Sequence, residues 1–275
     1  MSLRPLQYTV TLIMSAAVVV AAAFEWPVAP VAMGDGFGSW RNGFMRGAGV
    51  SAAAGTIVSP DDGEVVFATE SDTLPGGFPV PGGSLLAIAH ESALMTIFTG
   101  LETGSAATYL RQVKAGEAIG RAARAEEETT VFHTFDRQER RFVNPLAVMP
   151  FIADRDFPSV RSMNLSRDGV ETPIDKARNV PQGSYEVFID AMDMNGSVRS
   201  APYEIRLILD GSERSRYVYD AAWAQDGKPF LFAESAVVEY DYYVRDGRVR
   251  FGPFVFTRGR VTLSVRVTDF AGNTR

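Results

Sequence analysis

The sequence predicts an all-β protein, in which an antiparallel β-sheet domain is followed by a β-sandwich. The first observation is a series of short apolar runs, rich in β-branched residues and separated by Gly, between Phe37 and Pro145. Such runs are typical of antiparallel strands joined by tight turns. The second observation is a strict alternation of side chains in the segments 183–196 and 259–272. A period of two residues is typical of a half-buried strand.

Composition limits the range of functions. The chain has 275 residues, 46% hydrophobic and 22% charged, as expected for a globular protein of two domains. A formal net charge of −6 argues against nucleic acid or an anionic membrane surface as the main partner. The chain has no Cys, which excludes disulfides and thiolate chemistry and fits an oxidising compartment.

Residues 1–23 have the features of a targeting segment. Arg4 is the only charged residue among them, and the apolar run that follows ends in small residues at Ala23. A basic start, an apolar middle and an Ala-x-Ala end predict a secretory signal peptide. An uncleaved membrane anchor is the alternative, because residues 5–24 carry no charge and are long enough to span a bilayer. In either case we expect the rest of the chain to lie in the periplasm or cell envelope, with membrane contact only through residues 1–23.

Residues 24–150 are predicted to form the first domain. Its apolar runs follow one another at 47–50, 53–58, 62–66, 86–90, 96–101, 113–120, 135–136 and 143–146. The segment 74–83 is predicted to be a surface loop because it is rich in Pro and Gly. The three consecutive Glu at 126–128 are interpreted as a solvated loop.

In order and spacing these landmarks resemble the lysostaphin/LytM-like zinc endopeptidases, which cut peptide cross-links in peptidoglycan. The resemblance covers residues 24–150 and implies that family's antiparallel β-sheet. The family has a His-x-Gly-x-Asp ligand pair, a catalytic His two residues after a Tyr, and a closing His-x-His. With Gly47 as the motif glycine, these positions are held here by Met45, Gly49, Gly100, Phe132 and Thr134. The resemblance therefore implies a degenerate, non-catalytic member of the family.

Ligand chemistry leads independently to the expectation that no zinc is bound. A catalytic zinc needs three protein ligands and one open position for water. The chain offers only two His, His90 and His133, and carboxylates suit harder ions than zinc. His133 lies one residue away from Thr134, and no shift of register restores a His pair. Both histidines are interpreted as isolated residues near turns or strand ends, and we expect no cofactor.

Other active sites have weaker support. Asp35, Asp61, Asp62 and Glu64 could pair as acid and base, as in glycosidases, but no spacing singles out a pair. No Gly-x-Ser-x-Gly elbow is present. An active metallopeptidase or another hydrolase with unrecognised ligands stays open as the alternative.

A binding surface is predicted at the rim of the former cleft. Trp40, Arg41 and Arg46 lie in a Gly-rich stretch, and exposed loops commonly carry binding residues. Trp and Arg are also the side chains most often found as anchors at protein interfaces. We expect a partner to contact these residues.

Residues 151–275 are predicted to form the second domain. The pattern from Gly183 to Gly196 is repeated, position for position, from Gly259 to Gly272. The second copy resembles immunoglobulin-like domains of bacterial surface proteins, which implies a β-sandwich. A further strand is predicted at 203–211, and a hairpin is predicted to join 237–244 to 248–256. Because the chain stops just after a turn, a last strand is expected to be missing, as in a truncated polypeptide.

Acidic residues at the two copies are interpreted as turn residues. The pattern at 190–196 is similar to a calcium loop, but it lacks the Glu that such a loop needs at the required spacing. Asp269 and Asn273 receive the same interpretation.

Three hypotheses on function remain. The first is an exported, non-catalytic protein that binds peptidoglycan or regulates a cell-wall hydrolase. The second is a surviving enzyme, and the third is a structural adaptor that only mediates protein contacts. Zinc content separates the second from the others, and peptidoglycan binding separates the first from the third.

Overall fold

The structure is a computed structural model. It describes residues 24–29, 33–40, 43–51, 55–70, 83–123, 130–177, 179–196, 198–225, 228–233, 237–238 and 246–275. Of residues 70, 223–225, 228–233 and 237–238 only the backbone is described. The predicted targeting segment 1–23, the loop at 74–82, the Glu run at 126–128 and Arg41 lie outside these ranges. None of the described residues forms a helix of the length and apolarity needed to cross a membrane.

The all-β prediction is confirmed. Within the described residues, the first half contains β1 (Ala48–Val50), β2 (Thr56–Val58), β3 (Gly63–Glu70), β4 (Ser84–His90), β5 (Leu94–Leu101), β6 (Gln112–Val113), β7 (Ala118–Arg121), β8 (Thr130–Asp136) and β9 (Arg141–Val143). A short 3₁₀ turn (Pro145–Ala147) follows. The second half contains β10 (Ser159–Arg167), β11 (Val170–Pro173), β12 (Gly183–Asn195), β13 (Val198–Ser200), β14 (Glu204–Leu209), β15 (Ser212–Gln225), β16 (Lys228–Ala233), β17 (Val237–Val238), β18 (Val249–Phe256) and β19 (Leu263–Thr268).

A large antiparallel sheet runs through both halves of the chain. In the described part its order is β17-β16-β15-β9-β8-β5-β4-β3-β6, with β1 added to β8, β14 to β15, and β19 to β14. The strand β15 joins the halves, because one part of it pairs with β14 and another part pairs Ala221 and Ala222 with Val143 and Phe142 of β9. The two halves are therefore connected by main-chain hydrogen bonds as well as by the linker.

A second sheet covers one face of the C-terminal half. It has the order β11-β10-β12-β13 in the described residues, with β18 also paired to β12. The strand β18 pairs with β12, and β17 pairs with β16. The predicted hairpin between 237–244 and 248–256 stays a prediction, because residues 239–245 lie outside the described ranges. β18 completes the face of the smaller sheet, where Phe251 is fully buried.

The repeated pattern forms two of the predicted strands, β12 and β19. After β19 the chain turns at residues 269–272, and Arg275 exchanges two backbone hydrogen bonds of 2.9 Å with Val267. The last residues thus begin to pair with β19 again.

The buried apolar side chains form two hydrophobic cores. The first is built by residues of the N-terminal half, with Phe98, Phe132, Leu86 and Ile88 fully buried in it. The second lies between the two sheets of the C-terminal half, which together form a sandwich. One N-terminal segment belongs to the second core, because Phe37 and Phe44 are buried there. The immunoglobulin-like family of this sandwich stays a prediction.

Candidate functional site

The positions that correspond to ligands and catalytic histidines in the resembled family lie close together in the fold. Gly49 is on β1, Gly100 on β5, and Phe132 and Thr134 on β8, with β1 and β5 on either side of β8. Met45 precedes β1 and is held by hydrogen bonds to the backbone of Gly38 and Ser39. The structure therefore brings four of the five positions onto three neighbouring strands.

Aromatic side chains fill the centre of this region. Phe132 is paired across the sheet with Phe98, and their rings stack with 6.2 Å between centroids. The indole of Trp26 approaches Phe132 edge-on at 5.9 Å. Both Phe side chains are inaccessible to solvent. The packed rings stabilise the core by burial of apolar surface, and they leave Phe132 without access to a substrate.

The Thr134 hydroxyl and the Gly100 carbonyl, which lie at two of these positions, form hydrogen bonds within the protein. The Thr134 hydroxyl donates a hydrogen bond of 2.5 Å to the carbonyl of Val143. The carbonyl of Gly100 accepts a hydrogen bond of 2.6 Å from the Thr130 hydroxyl. Both hydroxyls are buried, so these bonds satisfy groups that would otherwise be costly to bury.

Gly47, the glycine of the former motif, allows β1 to lie directly on β8. A Cβ atom at this position would be 2.3 Å from the Phe132 carbonyl oxygen and 2.7 Å from Nδ1 of His133. Only Gly permits an approach this close. The close approach of Gly47 to β8 is therefore sufficient to explain why this position holds glycine.

His90 is a buried histidine with both nitrogens satisfied. Its Nδ1 lies 2.9 Å from the Asp62 carbonyl, and its Nε2 lies 2.9 Å from the Thr96 hydroxyl. Since a carbonyl can only accept, Nδ1 carries the proton and Nε2 accepts from Thr96. Burial lowers the pKa of His90, although the Asp62 carbonyl favours the charged form. This neutral, satisfied side chain at the end of β4 is not available as a ligand.

His133 lies on the other face of β8 from Phe132 and Thr134. Its ring contacts Phe142 edge-on at 5.6 Å. Burial lowers the pKa of His133 to about 4, although the backbone of Arg46 favours the charged form. Its Nδ1 is buried and has no hydrogen-bond partner among the described residues. The structure does not bring the two histidines together. His133 lies on β8 and pairs with Ile97 of β5, whereas His90 ends β4, on the other side of β5.

Of the three predicted rim residues, the structure describes Trp40 and Arg46, and Arg41 lies outside the described ranges. Trp40 is half-buried against the second core, and its ring lies close to Gly247, where a Cβ atom would be 2.9 Å from Cδ1. Arg46 is half-buried immediately before Gly47. Trp40 also lines a small hollow of about 30 Å³ with Arg161 and Asp190.

A larger cavity, which sequence reasoning missed, lies between the two halves. It has a volume of about 300 Å³ and is lined by Trp26, Phe151 and Phe270, with the carboxylates of Asp154 and Asp193 at one side. Phe151 is 75% exposed at this position. Because these residues come from distant parts of the chain, no local motif predicts the cavity.

A cluster of carboxylates lies beside this cavity. One carboxylate oxygen from each of Asp154, Asp193 and Asp269 lies within 4.8 Å of the other two. Burial, together with the neighbouring carboxylates, raises the pKa of Asp193 to about 7 and also raises the pKa of Asp154. Asp193 and Asp269 occupy equivalent places in the repeated pattern, and Asp193 also lies in the segment that is similar to a calcium loop. The sequence led only to their interpretation as turn residues, because it gave no sign that Asp154 lies beside them.

Comparisons with known proteins concern the fold. A protein-family model matches residues 157–275, which is less than half of the chain. No curated protein sequence matches the chain. Among solved structures, the SpoIIQ–SpoIIIAH pore-forming complex contains a chain similar to this one over 46% of this chain and 90% of that chain, with 16% identity and a TM-score of 0.36.

Two further structures are similar. Csd3 from Helicobacter pylori matches over 47% of this chain and 34% of its own, with 22% identity and a TM-score of 0.36, so this chain spans only part of Csd3. Lysostaphin matches over 88% of this chain and 94% of its own, with 14% identity and a TM-score of 0.34. At these values the similarities carry no argument about activity.

Proposed function

We propose that this protein is an exported, non-catalytic protein of the cell envelope, which uses a peptidase-like domain to bind peptidoglycan or to regulate a cell-wall hydrolase. The observation that carries the proposal is the packing of Phe98 against Phe132 where the resembled enzymes hold their catalytic centre. A buried aromatic pair supports the fold, but it can neither bind a metal nor transfer a proton. Such a domain can still bind other molecules through its surface.

The cavity between the two halves is the binding site that we propose for the ligand. Its walls combine aromatic side chains with a few polar groups, which is the usual composition of a site for small molecules or peptide side chains. Phe151 is the natural anchor, because it lines the cavity and is largely exposed, so a ligand can cover it at little cost to the fold.

A pull-down with insoluble peptidoglycan tests the proposal. The full chain should sediment with the polymer, and Phe151→Ala should weaken sedimentation. Phe157→Ala is the matched control, since Phe157 is 61% exposed on the same linker and does not line the cavity. Equal loss in both variants, or no loss in either, contradicts binding at the cavity.

Binding at Trp40 and Arg46 is tested with the double variant Trp40→Ala/Arg46→Ala. Because Trp40 packs on the second core, the melting temperature of the variant must be measured alongside its binding. Unchanged binding places the interaction elsewhere.

Regulation of a hydrolase is tested by release of dye from labelled peptidoglycan. The protein alone should release none, and it should change the rate of a cell-wall hydrolase added to it. Release by the protein alone, abolished by His90→Ala or His133→Ala, would support the alternative of an active enzyme. A protein that binds neither polymer nor hydrolase would be left with the role of a structural adaptor.

Export is part of the proposal and has its own test. Cell fractionation should place the protein outside the cytoplasmic membrane. N-terminal sequencing should show either removal of residues 1–23 or their retention as an anchor. A soluble cytoplasmic protein that keeps Met1 contradicts export.

A further inference from the structure

The carboxylates of Asp154, Asp193 and Asp269 come from three segments far apart in the sequence. Asp154 lies in the linker 151–158, Asp193 near the end of β12, and Asp269 directly after β19. Asp193 is 6% exposed and Asp269 is 1% exposed. An ionised carboxylate is costly to bury unless it is paired or coordinates a metal.

Within the described residues this cluster has no cationic partner. Among the described residues, no Lys or Arg forms an ion pair with any of the three. Independently, Oδ1 of Asp193 is buried and has no hydrogen-bond partner in the part of the chain that the structure describes. A buried oxygen without a hydrogen-bond partner, on a residue whose carboxylate lies next to two others, indicates a place for a positively charged ligand.

Asn273 holds the other members of the cluster in place. Its side-chain amide donates to Oδ2 of Asp269 at 2.7 Å, and also to the carbonyl of Asp156 at 3.2 Å. Its backbone N–H donates to Oδ1 of Asp269 at 2.8 Å. Asp269 and the linker are thereby positioned before any ligand binds, and this reduces the entropic cost of binding.

The geometry points to a site for one divalent cation of the calcium class, bound by Asp154, Asp193 and Asp269. Calcium takes oxygen ligands at about 2.3–2.6 Å, so two oxygens on one ion can be up to about 5 Å apart. Separations of up to 4.8 Å fall within this range, so small adjustments of the side chains can bring all three oxygens onto one ion. Magnesium binds at about 2.0–2.1 Å and usually keeps several waters with only one or two protein carboxylates, so a set of three carboxylates favours calcium. An all-carboxylate set does not favour zinc.

The adjoining cavity completes the site. Calcium needs about six to eight oxygen ligands, and three carboxylates supply only part of them. Asp154 and Asp193 line the cavity of about 300 Å³, which has room for water molecules as further ligands. A bound ion would tie the linker to the ends of β12 and β19, and so would fix the orientation of the linker between the two halves.

Calcium binding to the full chain tests the inference. The protein is treated with a chelator, exchanged into metal-free buffer near neutral pH and titrated with CaCl₂ by calorimetry, and in parallel with Tb³⁺ by luminescence excited through Trp. We expect one site per chain and a melting temperature that rises with calcium concentration. Magnesium should bind more weakly.

The decisive variant is Asp193→Asn, with Asp175→Asn as the control. Asp193→Asn should weaken calcium binding at least about tenfold, while its metal-free form melts at the same temperature as metal-free wild type or higher, because a repulsive charge is removed. Asp175 is exposed and is not part of the cluster, so Asp175→Asn should bind calcium as wild type does. If Asp193→Asn does not fold, Asp154→Asn in the linker serves instead.

Two outcomes overturn the inference. One is the absence of binding at about 10 mM calcium, above the range of extracellular calcium modules. The other is calcium binding that these variants leave unchanged.

Discussion

The rings of Phe98 and Phe132 stack on neighbouring strands of the large sheet, with their centroids 6.2 Å apart and both side chains fully buried. Phe132 holds the place of a histidine in the resembled zinc peptidases. An imidazole there could serve a metal centre, whereas a phenyl ring contributes only burial and packing. The first two predictions rest on this packing and on the residues at the other corresponding positions.

The first prediction is that the purified protein carries no stoichiometric zinc. Met45, Gly49 and Thr134 offer no zinc-binding group, and Thr134 already donates its hydroxyl proton to Val143. Elemental analysis after native purification, without added chelator, measures the zinc content. About one zinc per chain would mean that a different set of ligands exists.

The second prediction is that Phe132→Ala strongly destabilises the protein. Truncation of a fully buried Phe costs about 3–5 kcal/mol, because it removes apolar burial and leaves a cavity. Chemical denaturation followed by fluorescence gives the free energy of unfolding. Phe135→Ala, on the half-buried face of the same strand, should cost less. Equal costs would show that Phe132 is not a core residue.

The third prediction concerns the contact of β1 with β8. Gly47→Ala places a methyl group 2.3 Å from the Phe132 carbonyl, so we expect a loss of about 1–3 kcal/mol in the free energy of unfolding. In Gly34→Ala the new methyl group has its nearest neighbour at 3.7 Å, an ordinary contact, which makes this variant the control. Similar unfolding free energies for the two variants would contradict the close approach of the strands.

Strands can be predicted where the sequence carries a local pattern of apolar residues. The alternation at 183–196 predicted β12, and the run at 86–90 predicted most of β4 (Ser84–His90). The first prediction rested on a period of two residues, and the second rested on a short apolar run. Local patterns were sufficient for these elements.

The features that the sequence did not predict depend on pairings between distant residues. No local signal shows that Ala221 pairs with Val143, or that Phe37 and Phe44 belong to the second core. The carboxylate cluster is similar, because Asp154 carries no motif. Each of these features exists only once the chain has brought distant segments together.

The fourth prediction concerns the junction between the halves, where Asn144 is almost fully buried. Its side-chain amide donates to the Tyr219 carbonyl at 2.8 Å, and its Oδ1 accepts from the N–H of Leu146 at 3.1 Å. Asn144→Ala removes both hydrogen bonds at a buried position, so it should cost about 1–3 kcal/mol. Asn164→Ala removes only an exposed bond to Glu171 and should cost less than about 0.5 kcal/mol. Equal effects in denaturation experiments would argue against a structural role of Asn144 at the junction.

The last prediction is a loss of stability on mild acidification that depends on His133. Its pKa is about 4 in the folded protein, below the ordinary value of 6.5, so the fold favours the neutral ring. The corresponding stability is present above about pH 6.5 and is lost as the pH falls toward about 4, since only the unfolded chain binds the proton readily. Between about pH 7 and about pH 5 this loss amounts to at most about 2 kcal/mol. His133→Gln should reduce the loss, while the contribution of His90, whose pKa is also lowered, remains.

NMR provides a direct check, because the chain has only two His and therefore two sets of imidazole signals. A His133 signal that titrates near pH 6.5 in the folded protein would refute the prediction, because the ring would then be exposed to solvent.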